Sequence, residues 1–385
     1  MFKVIKQSKL SRARLGLIRT NRGVIGTPFF MPDATRAVIK NTSLIDIKKL
    51  TPPALVVNTL HLYLEPGIKI IKRAGGVNKF MSWPGALLSD SGGYQIFSLI
   101  YKNPKFGKIL NDKVIFKSPA DGSLHDFSPE KSIKIQFDLA SAMMVCLDDC
   151  PPNQSAATQL TKAVERTLAW AKSCRQEYDK QIKLRNIAVK KQPLLFAVIQ
   201  GGADFKLRKY CAEELIKIGF DGYSFGARPV DQQGKFLNKV LQFSADLIPE
   251  DKIRFGLGIG LPEDIVACVK MGWDMFDCVI PTREGRHGKL FLRKRNSKNQ
   301  TLNSNKNLNN YYHTININNA KFKNDFSPIN PGSGLKELRQ YSKAYLHHLF
   351  KINEPIGARL ASLNNFEFYL KLMIDLKRAI KNNQL

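Results

Sequence analysis

Acidic residues are scarce in this sequence. The 385-residue chain contains 32 aspartates and glutamates against 60 lysines and arginines, which gives a formal net charge of +28 at pH 7. This excess favours a polyanionic partner, because each phosphate that a protein neutralises releases counterions and adds affinity. A surface that is simply rich in solvated lysines is the alternative explanation, and of the two we favour binding to nucleic acid.

Long apolar runs and a cysteine framework are also absent. No stretch approaches the 18 apolar residues of a transmembrane helix, and the N-terminal MFKVIKQSKLSRARLG lacks the apolar segment of a secretion signal. The six cysteines show no paired spacing of the kind that a disulfide-rich domain has. We therefore expect a soluble, cytoplasmic, globular protein with reduced thiols and no contact with a membrane.

Eight short apolar runs, separated by helical patterns, are the main feature that the sequence does contain. Most of them are continuous rather than alternating, which is typical of strands buried on both faces of a parallel sheet. Eight strands alternating with helices predict an α/β protein, a (β/α)8 barrel with insertions, and a doubly wound sheet is the alternative. The runs are residues 27–34, 54–59, 86–93, 141–148, 194–201, 222–226, 254–260 and 275–281.

Composition divides the chain into three regions. Residues 1–290 hold all eight runs and are predicted to form the barrel and the functional site. Residues 291–325 contain an Asn- and Lys-rich stretch that predicts an insertion or loop, irregular or disordered. Residues 326–385 are predicted to form a C-terminal helical subdomain that completes the barrel, with helices at 336–350 and 365–382.

Two connections between the runs are long enough to hold extra structure. Residues 94–140 contain the turn-rich sequence KSPADGSLHD, which predicts a hairpin insertion, and Ser128 followed by Pro129 predicts the start of a helix. Residues 149–193 contain the pattern AVERTLAWAKSC, which predicts one long helix.

Polar residues stand where several of the predicted strands end. In a barrel the carboxyl ends of the strands face the active site, so these residues are expected to meet there. Asp90 and Asp277 are two such carboxylates, and no metal-binding histidine lies between them. This pair suits substitution at the anomeric carbon of a sugar, where one carboxylate attacks and the other transfers the proton. Any one of these residues alone is better explained by a helix cap or a turn; together they favour a site.

The other residues at the strand ends favour a planar heterocycle as the ligand. Asp148 and Gln200 supply an acceptor and a donor for the edge of a purine-like base, and Tyr94 supplies a stacking face. Arg283 and Arg286 are candidates for binding phosphates, with solvated charge as the alternative. Glycines at 92, 93, 201, 202, 258 and 260 would let a flat ligand approach the backbone, and they form neither a GxGxxG nor a P-loop pattern.

Six motifs resemble those of the tRNA-guanine transglycosylases of the bacterial type. The resemblance covers nearly the whole chain and implies a (β/α)8 barrel that exchanges guanine at the wobble position of tRNAs with GUN anticodons, a step in making queuosine. It implies the tRNAs for Asp, Asn, His and Tyr as partners, and a homodimer. The motifs are SDSGGYQIFS (89–98), NTLHLYLEPG (58–67), VIQGG (198–202), IGFDGYSFG (218–226), MFDCVIPTREGRHG (275–288) and YSKAYLHHLF (341–350).

The resemblance also implies roles for individual residues. Asp277 matches the nucleophile that attacks C1′ of the ribose and forms a covalent tRNA intermediate, and Asp90 matches the general acid and base. Arg283 and Arg286 are expected to contact tRNA. The residues expected to bind the base, with Tyr94 and Leu257 on the two faces of its ring, are Ser91, Tyr94, Asp148, Gln200, Gly226, Ala227, Leu257 and Gly258.

The loop after the sixth run departs from the family pattern. Gly226 is followed by Ala227, Arg228 and Pro229 where the family has Gly-Gly-Leu. The loop that reads the incoming base is therefore altered.

The family's zinc motif is the second departure. Its three cysteines and one histidine fall on Ser333, Leu335, Leu338 and Asn364, none of which supplies a thiolate or an imidazole. We therefore expect no zinc and no other cofactor. The two leucines, three positions apart, are expected to lie on one face of a helix and to pack in place of the metal.

Several functional alternatives remain. A non-catalytic tRNA-binding or partner subunit would be expected to lose one carboxylate, and both Asp90 and Asp277 survive, which favours an enzyme. A hydrolase that releases a free base agrees less well with the high positive charge. Cys150 and Val230 match the bulkier bacterial pattern and favour preQ1 (7-aminomethyl-7-deazaguanine) as the incoming base, with queuine as the alternative. Arg228 is then expected to point to solvent.

Overall fold

Each of the eight apolar runs contains one strand of a closed parallel barrel. The structure, a computed structural model, describes residues 2–294 and 308–385. Its strands are β1 (Phe2–Gln7), β2 (Arg14–Thr20), β3 (Gly23–Thr27), β4 (Phe29–Pro32), β5 (Ala54–Asn58), β6 (Ala86–Asp90), β7 (Gly107–Ile109), β8 (Val114–Lys117), β9 (Leu124–Phe127), β10 (Met143–Val145), β11 (Leu194–Ile199), β12 (Gly222–Phe225), β13 (Ile253–Gly256), β14 (Met275–Cys278), β15 (Lys289–Arg293) and β16 (Tyr312–Asn316). The barrel strands follow the order β4-β14-β13-β12-β11-β10-β6-β5.

One bridge closes the barrel between its first two strands. Asp33 and Val56 pair in parallel, and Ala34 N donates to Val56 O over 2.7 Å, which joins β4 to β5. The fold is therefore a (β/α)8 barrel, as predicted, and the doubly wound alternative is wrong.

Helices cover the outside of the barrel. They are α1 (Leu44–Leu50), α2 (Thr59–Leu62), α3 (Ile68–Arg73), α4 (Val77–Phe80), α5 (Gly93–Lys102), α6 (Pro129–Leu139), α7 (Ala157–Leu184), α8 (Phe205–Ile218), α9 (Asn238–Leu247), α10 (Pro262–Lys270), α11 (Ile280–Arg286), α12 (Lys336–Gln340), α13 (Lys343–Lys351) and α14 (Pro355–Lys381). Helix α6 begins at the predicted Ser128 cap, and α7 is the predicted long helix. Helix α14 packs against α10 and α1, which gives it the eighth place in the outer ring. None of these helices is long and apolar enough to cross a membrane.

Large apolar side chains fill the interior of the barrel. Phe29 and Met31 of β4 belong to one buried cluster with Val56, Leu88 and Met275 from three other strands. The interior is therefore a packed core and not a channel. A substrate pocket has to lie above this core, at the carboxyl ends of the strands. All six cysteines are free thiols, as expected.

Two antiparallel sheets lie outside the barrel. Strands β1 to β3 form an N-terminal sheet that the sequence analysis missed, because these short segments are interrupted by charged residues. Strands β7 to β9 form a three-stranded sheet inside residues 94–140. The predicted hairpin insertion is thus confirmed and contains one strand more.

The region predicted as an irregular insertion contains regular structure. Strand β15 pairs antiparallel with β16 along their whole lengths. The prediction for residues 291–325 is therefore wrong for 312–316, while residues 295–307 lie outside the described residues. The physical reason is aromatic packing: Tyr312 and Phe291 both contact the ring of Phe368 on α14, and the Asn- and Lys-rich composition concealed this anchor.

The C-terminal helices differ from their predicted bounds. The helix expected at 336–350 is broken between α12 and α13, where Ser342 caps α13 by accepting a hydrogen bond from Tyr345 N over 3.1 Å. The helix expected at 365–382 begins earlier, at Pro355. The predicted boundaries between the three regions stay a prediction.

The two leucines at former zinc-ligand positions are buried but do not share a helix face. Leu338 lies on α12, whereas Leu335 precedes the helix as its N-cap residue. Both belong to the main hydrophobic core. The predicted geometry is wrong, because the chain turns into the helix one residue later than the leucine spacing suggested.

Hydrogen bonds at Ser333 and Asn364, the two polar residues at former zinc-ligand positions, connect the loop before α12 to α14. Ser333 Oγ and Gly334 N both donate to the buried carboxylate of Glu367, each over 2.5 Å. Lys371 Nζ adds an ion pair of 2.8 Å to the same carboxylate. Asn364 accepts from Asn330 Nδ2 over 2.8 Å. A polar network centred on Glu367 therefore ties the loop before α12 to the C-terminal helix.

Candidate active site

A layer of mainly polar residues lies directly above the apolar interior. Each member follows an inward-facing residue of the same strand by two positions, as Asp277 follows Met275. Residues two positions apart on a strand face the same way, so this layer faces the mouth of the barrel. The strands thereby bring together five of the predicted site residues, namely Asp90, Gln200, Gly226, Leu257 and Asp277. The layer comprises Asp33, Asn58, Asp90, Gln200, Gly226, Leu257 and Asp277.

Asp90 is held at the end of β6 by an asparagine on the neighbouring strand. Asn58 and Asp90 are direct partners in the β5–β6 register, and Asn58 Nδ2 donates to Asp90 Oδ2 over 2.8 Å. Burial raises the pKa of Asp90 to about 6, although backbone hydrogen bonds from Ser91 and Gly92 oppose this rise. A carboxyl group with this pKa can hold a proton near neutral pH and release it.

Asp277 ends β14 and receives a backbone donor. Gly258 N, in the turn after β13, donates to Asp277 Oδ1 over 2.9 Å. Burial, with smaller contributions from the charges of Asp90 and Asp33, raises the pKa of Asp277 to about 7. Two carboxyl groups that titrate this close to neutrality and influence each other can divide the work, one ionised and one protonated.

Asp148 and Gln200 form a hydrogen-bonded pair on the far side of the mouth. Both side chains are buried, and Gln200 Nε2 donates to Asp148 Oδ2 over 2.6 Å. Burial raises the pKa of Asp148 to about 7. The pair therefore presents both donor and acceptor capacity, as a guanine edge requires. Ser91 is also buried. Its hydroxyl accepts a hydrogen bond from Gly93 N over 3.3 Å and so stabilises the turn that leads into α5.

Gly226 already has both backbone groups hydrogen-bonded inside the protein. Its N–H donates to Ile199 O over 2.9 Å, and its carbonyl accepts from Arg208 Nη2 over 2.7 Å. Of the predicted pair, Ala227 is therefore the better candidate for reading a base through its backbone. Ala227 has a φ of 100°, which is strained for a residue with a Cβ and explains why the family pattern has glycine there.

Arg208 is a fully buried arginine that organises two strand ends. It donates to Gly202 O over 2.6 Å, to Ile199 O over 3.2 Å and to Gly226 O. Burial lowers its pKa to about 10, so the guanidinium stays charged at neutral pH. The carbonyl oxygens that surround it compensate for this buried charge. Arg208 thus fixes the loops that carry Gln200 and Gly226.

An asparagine pins the altered loop from the outside. Asn153 Nδ2 donates to Arg228 O over 2.9 Å and to Val230 O over 3.0 Å. These residues line a cavity of about 620 Å³ together with Tyr94 and Cys150. The Arg228 side chain is exposed, in line with the expectation that it points to solvent. The cavity includes Tyr94, one of the residues predicted to bind the base, and Cys150.

The two arginines predicted to bind tRNA lie on α11, directly after the nucleophile candidate. Arg283 is half exposed and lies 3.5 Å from Glu284. Arg286 is half buried, and its Nε has no hydrogen-bond partner among the described residues. Leu257 is partly buried against the barrel interior. The roles of Leu257 and Tyr94 on the two faces of a base stay a prediction.

Comparison with known proteins identifies the family. The family model described as queuine tRNA-ribosyltransferase matches residues 8–385. A queuine tRNA-ribosyltransferase of Thermoanaerobacter pseudethanolicus is 38% identical over 384 residues, which cover 100% of this chain and 94% of that protein. Proteins of the same name from Halothermothrix orenii and Staphylococcus aureus are each 37% identical, and the match covers 94% and 92% of their lengths and 100% and 99% of this chain. This chain belongs to the queuine tRNA-ribosyltransferase family.

The zinc that the family resemblance implies does not fit the residues of this member. Ser333, Leu335, Leu338 and Asn364 offer two neutral polar groups and two hydrocarbon side chains, whereas structural zinc requires thiolates or imidazoles. Within residues 2–294 and 308–385 no three or more His, Cys, Asp or Glu side chains form a group suited to a metal ion. Glu367 is instead occupied by hydrogen bonds from the loop that would carry the ligands.

Asn58, Arg208 and Asn153 were missed by the sequence analysis. Asn58 stands in one of the family motifs, at the end of a predicted strand, so its position was a usable signal. Arg208 lies in the middle of α8 and Asn153 in a loop, where arginine and asparagine are ordinary surface residues. The hydrogen bond of Arg208 to Gly226 spans 18 positions, and that of Asn153 to Arg228 spans 75. Sequence periodicity does not reveal pairs so far apart.

We predict that Asp277→Asn stabilises the folded protein above neutral pH. Because the folded pKa is raised from the ordinary aspartate value of 3.8 to about 7, the unfolded chain loses this proton first, and stability falls as pH rises from about 4 to about 7. The asparagine side chain has nearly the same shape as aspartate but carries no charge, so its burial does not lower stability as the pH rises. Chemical denaturation at pH 8 should show the variant more stable by about 1–3 kcal/mol, with a smaller difference at pH 5.

A matched substitution at Asp46 is expected to change the free energy of unfolding in the opposite direction. Burial alone would raise the pKa of Asp46, but hydrogen bonds from Arg359 and Ser43 lower it overall. Asp46→Asn should therefore destabilise the protein at pH 8. Equal stabilities of wild type and Asp277→Asn at pH 8 would contradict the buried-charge interpretation of Asp277.

Proposed function

We propose that this protein replaces guanine at position 34 of GUN-anticodon tRNAs with a 7-deazaguanine, as a step in queuosine biosynthesis. The observation that carries the proposal is the placement of Asp90 and Asp277 in one layer at the barrel mouth, facing the Asp148–Gln200 pair. Family membership and the net charge of +28 support a tRNA substrate. The tRNA substrate in turn supports a cytoplasmic location, and the family resemblance supports a homodimer.

The reaction is a double displacement at C1′ of the ribose. The ionised carboxylate of Asp277 attacks C1′, the bond from C1′ to N9 of guanine breaks, and the protonated Asp90 gives its proton to the departing base. The pKa values of about 7 for Asp277 and about 6 for Asp90 favour the opposite protonation in the free protein, so the positive charge that develops at C1′ beside Asp277 has to stabilise its ionised form. The product of this step is an ester between Asp277 and the tRNA. Asp90, now ionised, removes the N9 proton of the incoming base, whose nitrogen attacks C1′ and releases Asp277.

A non-catalytic tRNA-binding subunit is the main alternative. Such a protein would need the basic surface but not two carboxyl groups with raised pKa values at the bottom of a pocket. Maintaining ionisable groups in a buried layer lowers stability, and this cost is typical of reacting groups. A hydrolase would use the same carboxylates, so only the fate of the ribose distinguishes it from a transferase.

We predict that the wild-type protein incorporates radiolabelled guanine into a GUN-anticodon tRNA. Asp277→Asn and Asp90→Asn should each lower the rate by at least about a thousandfold, because neither the ester nor the proton transfer is available. Asp121→Asn, an exposed aspartate in the hairpin insertion, should retain the wild-type rate. Loss of guanine without incorporation would indicate a hydrolase, and tRNA binding without either reaction would indicate the subunit.

We further propose preQ1 as the incoming base. Cys150 and Val230 line the cavity beside the base-binding residues, and the loop between Arg228 and Val230 is pinned by Asn153. Arg228 also lines this cavity, but its side chain is exposed, so water screens its repulsion of the aminomethyl ammonium.

We predict that preQ1 outcompetes queuine at equal concentration in an exchange assay with labelled tRNA-bound guanine. Arg228→Ala should change the preference little, because the side chain lies in solvent and its charge is screened there. Preferential release of guanine by queuine would overturn the choice of preQ1 but not the proposed reaction.

We also propose that the C-terminal region is stable without zinc. Glu367 holds Ser333, Gly334 and Lys371 at a place where zinc ligands would otherwise join the loop to the helix. Loss of a buried carboxylate that receives these donors leaves them unsatisfied.

We predict that Glu367→Ala lowers the free energy of unfolding by about 1–3 kcal/mol, whereas an excess of EDTA leaves the wild-type melting temperature unchanged. Glu213→Ala, which removes an exposed ion pair with Lys209, is the control and should change stability by less than about 0.5 kcal/mol. One zinc per chain in elemental analysis of purified protein would contradict the metal-free proposal.

A further inference from the structure

Asp33 is a carboxylate in the catalytic layer to which the proposed reaction gives no role. It lies at the end of β4, and this strand stands between β14, which carries Asp277, and β5, which carries Asn58. Asp277 pairs with Met31 in the β14–β4 register, so Asp33 lies one step above that pair on the same inward face. Its charge contributes to the raised pKa of both Asp90 and Asp277, in keeping with a shared place at the mouth of the barrel.

One oxygen of Asp33 is fixed by its own loop. Thr35 Oγ1 donates to Asp33 Oδ1 over 2.6 Å, and Thr35 O accepts from Asn58 N over 3.0 Å. Among residues 2–294 and 308–385 no other side chain donates a hydrogen bond to Asp33, and no cation lies within ion-pairing distance. The carboxylate is partly exposed at the mouth. It is therefore oriented and still has acceptor capacity for a ligand.

The order of the strands places the ribose on the side of Asp33. The base-binding Gln200 is on β11, which lies opposite β4 in the ring of eight strands. With the base edge at Gln200 and C1′ at Asp277, the remainder of the ribose extends toward β4. The 2′-hydroxyl is bonded to the carbon next to C1′, so it is a hydrogen-bond donor of the sugar within reach of this side of the mouth.

We propose that Asp33 accepts a hydrogen bond from the 2′-hydroxyl of nucleotide 34 and makes the enzyme specific for ribose over deoxyribose. This inference rests on the proposed transglycosylation. In sugar-transfer reactions, hydrogen bonds to the hydroxyl next to the anomeric carbon strengthen as positive charge develops on the ring. Burial raises the pKa of Asp33, whereas hydrogen bonds from Thr35 and the charges of Lys40 and Arg286 oppose this rise and favour the ionised form. In that form Asp33 is the stronger acceptor for the 2′-hydroxyl, the group that distinguishes RNA from DNA.

The test compares exchange on two tRNAs that differ in one oxygen atom. Both are GUN-anticodon tRNAs, one with guanosine and one with 2′-deoxyguanosine at position 34. Wild type should have a kcat/KM at least about tenfold higher for the ribose form, which is the effect of one hydrogen bond to a charged group. Most of this difference should lie in kcat, because the hydrogen bond strengthens in the transition state. In Asp33→Val this ratio should fall at least about tenfold below the wild-type ratio. Changes in the charge of the site affect both RNAs alike and cancel in the ratio.

Two further variants separate recognition from a structural role. Asp33→Asn keeps an oxygen for Thr35 but is a neutral acceptor, so its ratio should be intermediate. Asp121→Val removes a similar turn, in which Ser123 Oγ donates to Asp121 Oδ1 over 2.7 Å, and should keep the wild-type ratio.

The outcomes distinguish this inference from the function on which it rests. A wild-type protein that exchanges guanine but shows the same ratio as Asp33→Val would overturn the role of Asp33 and leave the transglycosylation intact. A wild-type protein without exchange on the ribose tRNA would overturn both. A low rate of Asp33→Val on both RNAs with an unchanged ratio would assign Asp33 to the fold alone.

Discussion

Burial of carboxyl groups at the mouth of the barrel is the constraint on which the site depends. The apolar interior beneath Asp90, Asp148 and Asp277 excludes water from below, and burial is the largest cause of the raised pKa of each. An exposed aspartate is almost fully ionised at pH 7 and could not hold a proton for a departing base. In the buried layer, the same residue type serves as either an acid or a nucleophile near neutral pH.

The partners of these carboxyl groups are neutral, although the chain has 60 lysines and arginines. Asp90 is held by Asn58, Asp277 by Gly258 N, and Asp148 by Gln200. In the described parts of the chain no arginine or lysine forms an ion pair with any of the three. A cation at that distance would lower the pKa and would remove the acid form. The buried Arg208 donates to the backbone carbonyls of Gly202 and Gly226 and forms no ion pair with these carboxyl groups.

The sequence was sufficient to predict the barrel and to place Asp90, Gln200 and Asp277 at the ends of its strands. Strands buried on both faces have continuous apolar runs, and several polar residues at the ends of such runs together indicate a site, although a cap or a turn can explain any one of them. Asn153 and Arg208 could not be recognised, because their partners are distant in sequence. Strand β16 was concealed by its composition, since two aromatic contacts with α14 outweigh the polar residues around it. The network at Glu367 required knowledge of which loop faces α14.

The central claim is that Asp277 becomes covalently attached to tRNA. The most direct measurement is to incubate the protein with a GUN-anticodon tRNA, denature the mixture, digest both components and locate the nucleotide on the peptides by mass spectrometry. We expect a ribose-linked fragment of nucleotide 34, without its base, on the peptide that contains Asp277, and no adduct in Asp277→Asn. An adduct on Asp90, or one that persists in Asp277→Asn, would contradict the assignment.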